Sequence, residues 1–96
     1  MKIYLSKSSR DEKKWMVEID GKTVHFGAKG AEDFTMHKDP LRKAHYITRH
    51  QKRENWKFSG IKTAGFWSRW LLWNKPSIKA SIQDIEEKFD VDIIKE

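Results

Sequence analysis

The stretch Thr63-Ala-Gly-Phe-Trp-Ser-Arg-Trp-Leu-Leu-Trp-Asn74 contains three of the five tryptophans in the chain. On a helix of 100° per residue its apolar side chains cover most of the circumference, and only Ser68 and Arg69 are left to face water. Thr63 is suited to cap the first turn, and Asn74 to end the helix in a left-handed conformation. Burying three tryptophans represents on the order of 10–20 kcal/mol of gross transfer free energy. The sequence therefore predicts a buried helix over residues 63–74, around which the fold is organised.

The apolar residues of this predicted helix have three possible locations. Burial within the monomer is favoured, and a homodimer interface is the main alternative, because a 96-residue domain has limited inner surface for five tryptophans. Contact with a membrane surface beside Arg69 and Lys75 is a minor option. The candidate core or interface residues are Phe66, Trp67, Trp70, Leu71 and Trp73.

The length of 96 residues predicts a single domain, residues 1–96, with one modest core. The chain has no cysteine, which excludes disulfides and thiolate nucleophiles. Its first residues are too short an apolar run for a signal peptide, and no segment approaches the roughly 20 apolar residues of a membrane span. We expect a soluble, non-secreted protein without a membrane span.

The net charge of +6 is unevenly distributed along the chain. Residues 1–37 carry seven Lys and Arg against six Asp and Glu, and residues 38–75 carry ten against two. Residues 76–96 reverse the sign, with three against six. A basic middle segment is typical of a surface that binds a polyanion, because phosphate contacts gain from the release of counterions.

Alternating polar and apolar residues predict strands near the N-terminus, over residues 2–6, 14–20 and 22–26. Asp20-Gly21 has the composition of a type I′ turn between the last two strands. The sequence thus predicts a three-stranded antiparallel meander over residues 2–27. The following Gly27-Ala-Lys-Gly30 is interpreted as a turn that ends the sheet, with a nucleic-acid clamp as the less favoured alternative.

Two further helices are predicted after the meander. Asp39-Pro40 is a good helix start, because the carboxylate caps free amides and proline tolerates the first position, so a basic helix is predicted over residues 39–56. An apolar stripe predicts an amphipathic helix over residues 77–89. Residues 90–96 form an acidic tail with a short strand, either on this sheet or on that of another subunit. The expected fold class is α+β, with the meander packed against two to three C-terminal helices.

The predicted basic helix is the candidate nucleic-acid interface. Arg42, Tyr46, Arg49 and Arg53 fall on one stripe, where like charges repel and an external polyanion would relieve the repulsion. Tyr46 is expected to stack on exposed bases. The alternative is a solvated basic face whose charges pair with acidic residues elsewhere in the fold. The candidate binding residues are Lys38, Arg42, Lys43, Tyr46, Arg49, Lys52, Arg53 and Lys57.

No pattern in the sequence indicates catalysis. His45 and His50 are five residues apart and point away from each other on a helix, unlike a helical metal pair. His37 with Asp39 is a conceivable base and carboxylate, but the basic segment lacks the acidic cluster that metal-dependent nucleases use. We therefore expect no enzyme activity, no metal and no cofactor.

Several motifs resemble those of a known protein family. They are Thr35-Met-His-Lys-Asp39, Tyr46, Arg49-His50, Arg53-Glu-Asn-Trp56 and Ala64-Gly-Phe-Trp-Ser-Arg-Trp-Leu-Leu-Trp-Asn-Lys-Pro76. They resemble short proteins encoded by nucleocytoplasmic large DNA viruses of the marseillevirus, iridovirus, phycodnavirus and mimivirus-like groups.

The likeness covers residues 13–89 and brings no catalytic role with it. It implies a viral protein found in the virion and in the host cytoplasm, at the viral factory. Together with the charge distribution it leads to the expectation of a virion protein that binds viral nucleic acid, most simply DNA, through phosphates. The alternative is a structural module that forms a homodimer or docks to another virion protein.

Overall fold

A four-stranded mixed sheet is the centre of the computed structural model, which describes residues 1–96. Its strands are β1 (Lys2–Lys7), β2 (Lys13–Ile19), β3 (Lys22–Ala28) and β4 (Asp92–Lys95). They lie in the order β3-β2-β1-β4. With the helices that follow, the fold is α+β, as predicted.

The N-terminal meander is confirmed. β1 pairs antiparallel with β2, and β2 with β3. The turn between β2 and β3 has positive φ at both central residues, 50° at Asp20 and 80° at Gly21, as a type I′ turn requires. The local composition of this turn therefore sets the register of the hairpin.

The C-terminal segment adds a strand to the same sheet. β4 lies parallel to β1, with Ile93 opposite Ile3 and Ile94 opposite Tyr4. The prediction of a three-stranded sheet is thereby extended to four strands, and the alternative of pairing with another subunit is replaced by pairing within the chain. The parallel arrangement is possible because the intervening helices provide the long crossover that it needs.

One face of the sheet forms the core. Its inward-facing side chains are almost inaccessible, namely Ile3, Leu5, Val17, Ile19, Val24 and Phe26. They are covered by the tryptophan-rich segment, with Trp67 and Leu71 fully buried, and by Ile85. The opposite face of the sheet carries half-exposed Tyr4 and Ile94.

The tryptophan-rich segment is helical but not a single α-helix. α3 (Ala64–Trp67) begins at Thr63, whose hydroxyl accepts a hydrogen bond from the Phe66 amide at 3.3 Å, which confirms the predicted cap. A π-helical turn, Ser68–Leu72, follows and closes with the Trp73 amide on the Ser68 carbonyl at 3.0 Å. Because a π turn is wider than an α turn, it shifts the side chains that follow around the axis.

Two details of this segment differ from the prediction. Ser68 and Arg69 are half-buried and do not simply face water. Asn74 does not have a left-handed conformation, since it is absent from the residues with positive φ. It is 6% exposed, and its amide donates to the Asp84 carboxylate at 2.7 Å, so its side chain joins this segment to the next helix.

The remaining helices surround this segment. They are α1 (Phe34–His37), which was not predicted, α2 (Pro40–His50) and α4 (Ile78–Phe89). The carboxylate of Asp39 caps α2, as predicted, and the hydroxyl of Ser77 caps α4. None of the helices has the length and apolarity that crossing a membrane requires.

α2 is shorter than the helix predicted over residues 39–56. After His50 the chain turns, with the Glu54 amide on the His50 carbonyl at 3.1 Å. A continued helix would carry Trp56 about 9 Å beyond His50 along the axis. The turn instead brings the Trp56 ring back to Tyr46, with ring centroids 6.3 Å apart and an interplanar angle of 13°.

Candidate nucleic-acid interface

The first lysines of the predicted interface are bound to the fold. Lys38 donates from Nζ to the carbonyls of Thr35 at 2.8 Å and Pro76 at 2.9 Å. Lys43 donates from Nζ to the Asn74 carbonyl at 2.7 Å and lies 5.0 Å from the centre of the Phe34 ring. Both ammonium groups therefore satisfy backbone carbonyls that follow the tryptophan-rich segment.

Burial has an electrostatic effect at Lys43. Desolvation lowers the pKa of its ammonium group, and the nearby positive charges of Arg69 and Lys75 lower it further, against the opposing effect of Asp84. Desolvation also lowers the pKa of Arg69, whose guanidinium donates to the Trp73 carbonyl at 2.8 Å and lies 4.4 Å from the Trp70 ring. These cations belong to the packing beneath the surface.

Arg42 forms an exposed ion pair. Its guanidinium lies 3.3 Å from the Glu32 carboxylate, and the two side chains are 48% and 55% exposed. Arg42, His45 and Arg49 line one surface groove of about 400 Å³, next to Glu32. Arg42 and Arg49 therefore share an open surface, which Glu32 partly neutralises.

The last four predicted cations form no ion pair. Arg49, Lys52, Arg53 and Lys57 are exposed, and none of them takes part in a salt bridge or a side-chain hydrogen bond. They lie within nine residues of chain that contain one acidic residue, Glu54. These four residues form the free cation cluster.

Tyr46 lies in a different environment from the one expected. It is 6% exposed, its ring is parallel to Trp73 at 4.5 Å and 2°, and His50 stacks on it at 4.4 Å. A base has no access to either face of this ring, so Tyr46 is corrected from a stacking contact to the residue that anchors α2. Burial, and then the charge of Glu54, raise the pKa of Tyr46 to about 12.

The predicted core or interface residues pack within one chain. Phe66, Trp67 and Leu71 are fully buried, and Trp70 and Trp73 are half-buried against the same core. The indole of Trp67 donates to the Ile61 carbonyl at 2.7 Å, and that of Trp70 to the Trp56 carbonyl at 2.9 Å. Packing within one monomer therefore accounts for the burial of the tryptophan-rich segment.

The largest cavity, about 660 Å³, lies beside the free cation cluster and was not predicted. It is open to solvent and lies between the end of β3, the segment before α1, the end of α2 and the start of α3, and its lining includes Lys13, His50, Arg53 and Glu54. His50 was weighed as a metal ligand and as part of a family motif, and Lys13 was not predicted as a site residue. Only the crossing of β2 near the end of α2 brings them together, so no local signal could have found them.

A buried ion pair supports one wall of this cavity. Lys14 donates from Nζ to the Asp33 carboxylate at 2.7 Å, with the two side chains 16% and 4% exposed. Asp33 also caps α1 through the Thr35 amide at 3.0 Å. The pair therefore fixes the segment between β3 and α1 against β2.

The structure holds no cluster of three His, Asp or Glu side chains with the spacing of a metal site. His37 accepts from the Asp39 amide at Nδ1, at 3.0 Å, and packs its ring on Trp73 at 5.3 Å. His37 therefore takes part in the local packing around α1, and the Asp39 carboxylate is directed to the Leu41 amide.

The N-terminal half of the chain matches a known protein family. Residues 3–50, half of the 96 residues, match the model of a family of unknown function, DUF5754. Neither a curated protein nor a solved structure matches the chain. The chain belongs to the DUF5754 family.

Proposed function

We propose that this protein binds nucleic acid through phosphate contacts, without sequence preference. The observation that supports this is the free cation cluster, in which Arg49, Lys52, Arg53 and Lys57 are exposed and have no acidic partner. A folded protein that leaves four such charges together stores repulsion that a polyanion relieves.

Phosphate binding by this cluster follows from elementary electrostatics. Each contact releases condensed counterions, so affinity falls steeply with salt. Arginine adds geometry, because its planar guanidinium donates two parallel hydrogen bonds to a phosphate. Arg42 is a further contact, since an exposed ion pair is worth about 0–1 kcal/mol and a phosphate can replace Glu32.

The proposed interface excludes three of the residues that the sequence suggested, because Tyr46 is buried and two lysines are held by the fold. Lys38 and Lys43 donate to backbone carbonyls, and a phosphate contact would have to replace those hydrogen bonds. The proposed contacts are therefore Arg42 and the free cation cluster. Such contacts to the backbone carry no information on base sequence.

The resemblance to proteins of large DNA viruses supports the biological context of the proposal. We propose that the nucleic acid is viral DNA and that the protein acts in the virion and in the host cytoplasm. The role is binding and not catalysis, because the positive surface supplies phosphate contacts and no reacting group is needed for it.

Fluorescence anisotropy with a labelled 20-base-pair duplex tests the proposal, at salt concentrations from about 50 to 200 mM. With five phosphate contacts the logarithm of the association constant should fall with the logarithm of salt with a slope of roughly −4.5, which weakens binding about 500-fold over this range. No binding at 50 mM salt would contradict the proposal.

A structural role, as a homodimer or a docking module, is the alternative proposal. The segment that suggested it is packed inside one chain, with Phe66, Trp67 and Leu71 fully buried. A partner would therefore have to use another face. Light scattering over a wide concentration range separates the two proposals, because a monomer at all concentrations argues against the homodimer.

A further inference from the structure

The cavity of about 660 Å³ beside the free cation cluster has the size and lining of a ligand site. Pockets that hold small organic ligands have volumes of about 300–1,000 Å³ and combine apolar walls with a few polar groups. Here Trp73 and Leu72 supply apolar surface, and polar side chains from α2 and from the turn after it enter the same space.

The polar groups in this cavity have unused hydrogen-bonding capacity. The Tyr46 hydroxyl, the His50 ring, the Ser68 hydroxyl and the Glu54 carboxylate all line it, and none of them makes a side-chain hydrogen bond within the protein. These atoms are not among the buried polar atoms that lack a partner, so the cavity is open to water beside them. A ligand that enters the cavity can therefore bond to them without displacing a protein partner.

Charge in the cavity is mixed. Arg53 and Lys13 line it without a carboxylate partner, while Lys14 is held by Asp33. Glu54 adds an acceptor of the opposite sign. A ligand that suits this lining carries both an anionic group and hydrogen-bond donors, which is the combination found in a nucleotide.

The position of Glu54 depends on a glycine. A side chain at position 65 would collide with one carboxylate oxygen of Glu54. Gly65 does not have a positive φ, so the backbone conformation does not require glycine there. The missing side chain instead makes room for the carboxylate over the first turn of α3.

We propose that this cavity holds one unpaired nucleotide of a bound strand, with Arg53 and Lys13 available to its phosphate and Glu54 to the amino group of its base. The inference rests on the proposed function, because it requires a nucleic acid on the adjoining free cation cluster. It makes a single strand, or a frayed end, a better ligand than an intact duplex.

The base that fits is one with an exocyclic amino group. A carboxylate accepts from the amino group of cytosine, whereas thymine and uracil present a carbonyl at that position and would leave the carboxylate unpaired. Tyr46 supports the same choice, since its raised pKa of about 12 keeps the hydroxyl protonated and able to donate to a base or sugar oxygen.

Anisotropy with labelled single strands of deoxycytidine and of deoxythymidine tests the inference, with the duplex as a separate arm and ribo-oligomers as a second source of the same chemistry. The cytidine strand should bind roughly three- to tenfold tighter than the thymidine strand. Glu54→Gln should reduce that ratio to about one, while Glu18→Gln, on the open face of the sheet, should leave the ratio unchanged. The ratio is the readout, because loss of a negative charge raises all affinities together.

A second variant moves the carboxylate without altering net charge. Gly65→Ala forces Glu54 out of its position and should also reduce the ratio to about one, with thermal unfolding confirming that the variant is folded. Equal affinity of the unaltered protein for the two single strands would overturn the inference, even if duplex binding persists. Absence of binding in the duplex arm would instead overturn the proposed function.

Discussion

The two ends of the basic segment have similar charge but different environments. At its start, Lys38 and Lys43 donate to backbone carbonyls at 2.7–2.9 Å. At its end, Arg49, Lys52, Arg53 and Lys57 contact no acceptor. A run of positive charge in a sequence therefore gives an upper bound on a binding surface, and the tertiary fold decides which charges remain available.

The difference arises from what each end of the segment lies against. The start is next to residues 74–76, where the chain leaves the π-helical turn and its carbonyls no longer have helical partners. Lysine side chains commonly satisfy such carbonyls at the end of a helix. The end of the segment comprises the last turn of α2 and the turns that follow it, where only Arg53 lines the cavity and the four cations make no side-chain hydrogen bond.

Neutralising the free cation cluster should give the largest effect. The variant Arg49→Gln, Lys52→Gln, Arg53→Gln, Lys57→Gln removes four of the five proposed phosphate contacts, so duplex affinity at about 100 mM salt should fall roughly 100-fold and the salt slope should approach about −1, the value for Arg42 alone. Fluorescence anisotropy over a salt series measures both quantities.

The matched variant removes the two bound lysines. Lys38→Met with Lys43→Met should leave duplex affinity within about threefold, but it should lower the free energy of unfolding by about 1–2 kcal/mol because carbonyls lose their donors. Denaturant unfolding provides the stability measurement. Equal loss of binding in the two variants would show that both ends of the segment contact nucleic acid.

Tyr46 lies between the two ends of the basic segment. Ionisation of its hydroxyl gives the next largest predicted effect. Its pKa of about 12 in the folded protein exceeds the ordinary value of 10.0, so between pH 10 and 12 only the unfolded chain loses the proton. The contribution of Tyr46 to the free energy of unfolding is therefore fully present below pH 10, and it declines by about 2–3 kcal/mol as the pH approaches 12.

Replacing the phenol isolates that contribution. Tyr46→Phe should lose less stability than the unaltered protein between pH 10 and 12, as measured by urea unfolding at each pH, because phenylalanine has no proton to release. Tyr4→Phe is the control, since Tyr4 is 39% exposed and should leave the alkaline decline unchanged. Parallel declines for Tyr46→Phe and the unaltered protein would rule out Tyr46 as the source.

Local chemistry was sufficient to predict the elements whose causes lie within a few residues. The Asp20-Gly21 turn and the caps Thr63 and Asp39 depend only on adjacent backbone, and the structure confirms them. The pairing of β4 with β1 was open, because it joins residues about ninety positions apart.

The candidate site was less predictable for the same reason. The carbonyls that bind Lys43 and Lys38 are 31 and 38 residues further along the chain, and the burial of Tyr46 depends on Trp73. Charge and spacing identified a basic segment, but they could not show which of its side chains the fold uses. The cavity, which joins β2 to α2 and α3, has no local signature at all.

Arg42 lies between the two ends in position and in behaviour, and it gives the smallest predicted effect. Its pair with Glu32 at 3.3 Å is exposed, so Glu32→Gln should change the free energy of unfolding by no more than about 0.5 kcal/mol. The same change frees Arg42 to contact phosphate, and it removes a negative charge near Arg49 that repels phosphate. Duplex affinity should therefore rise about two- to threefold at low salt, and the gain should disappear at high salt because exposed charges are screened.

Glu18→Gln makes the same change in net charge away from α2 and should give a smaller gain in anisotropy titrations. If both variants strengthen binding equally, only the net charge matters, and Arg42 is no more part of the interface than any other exposed cation.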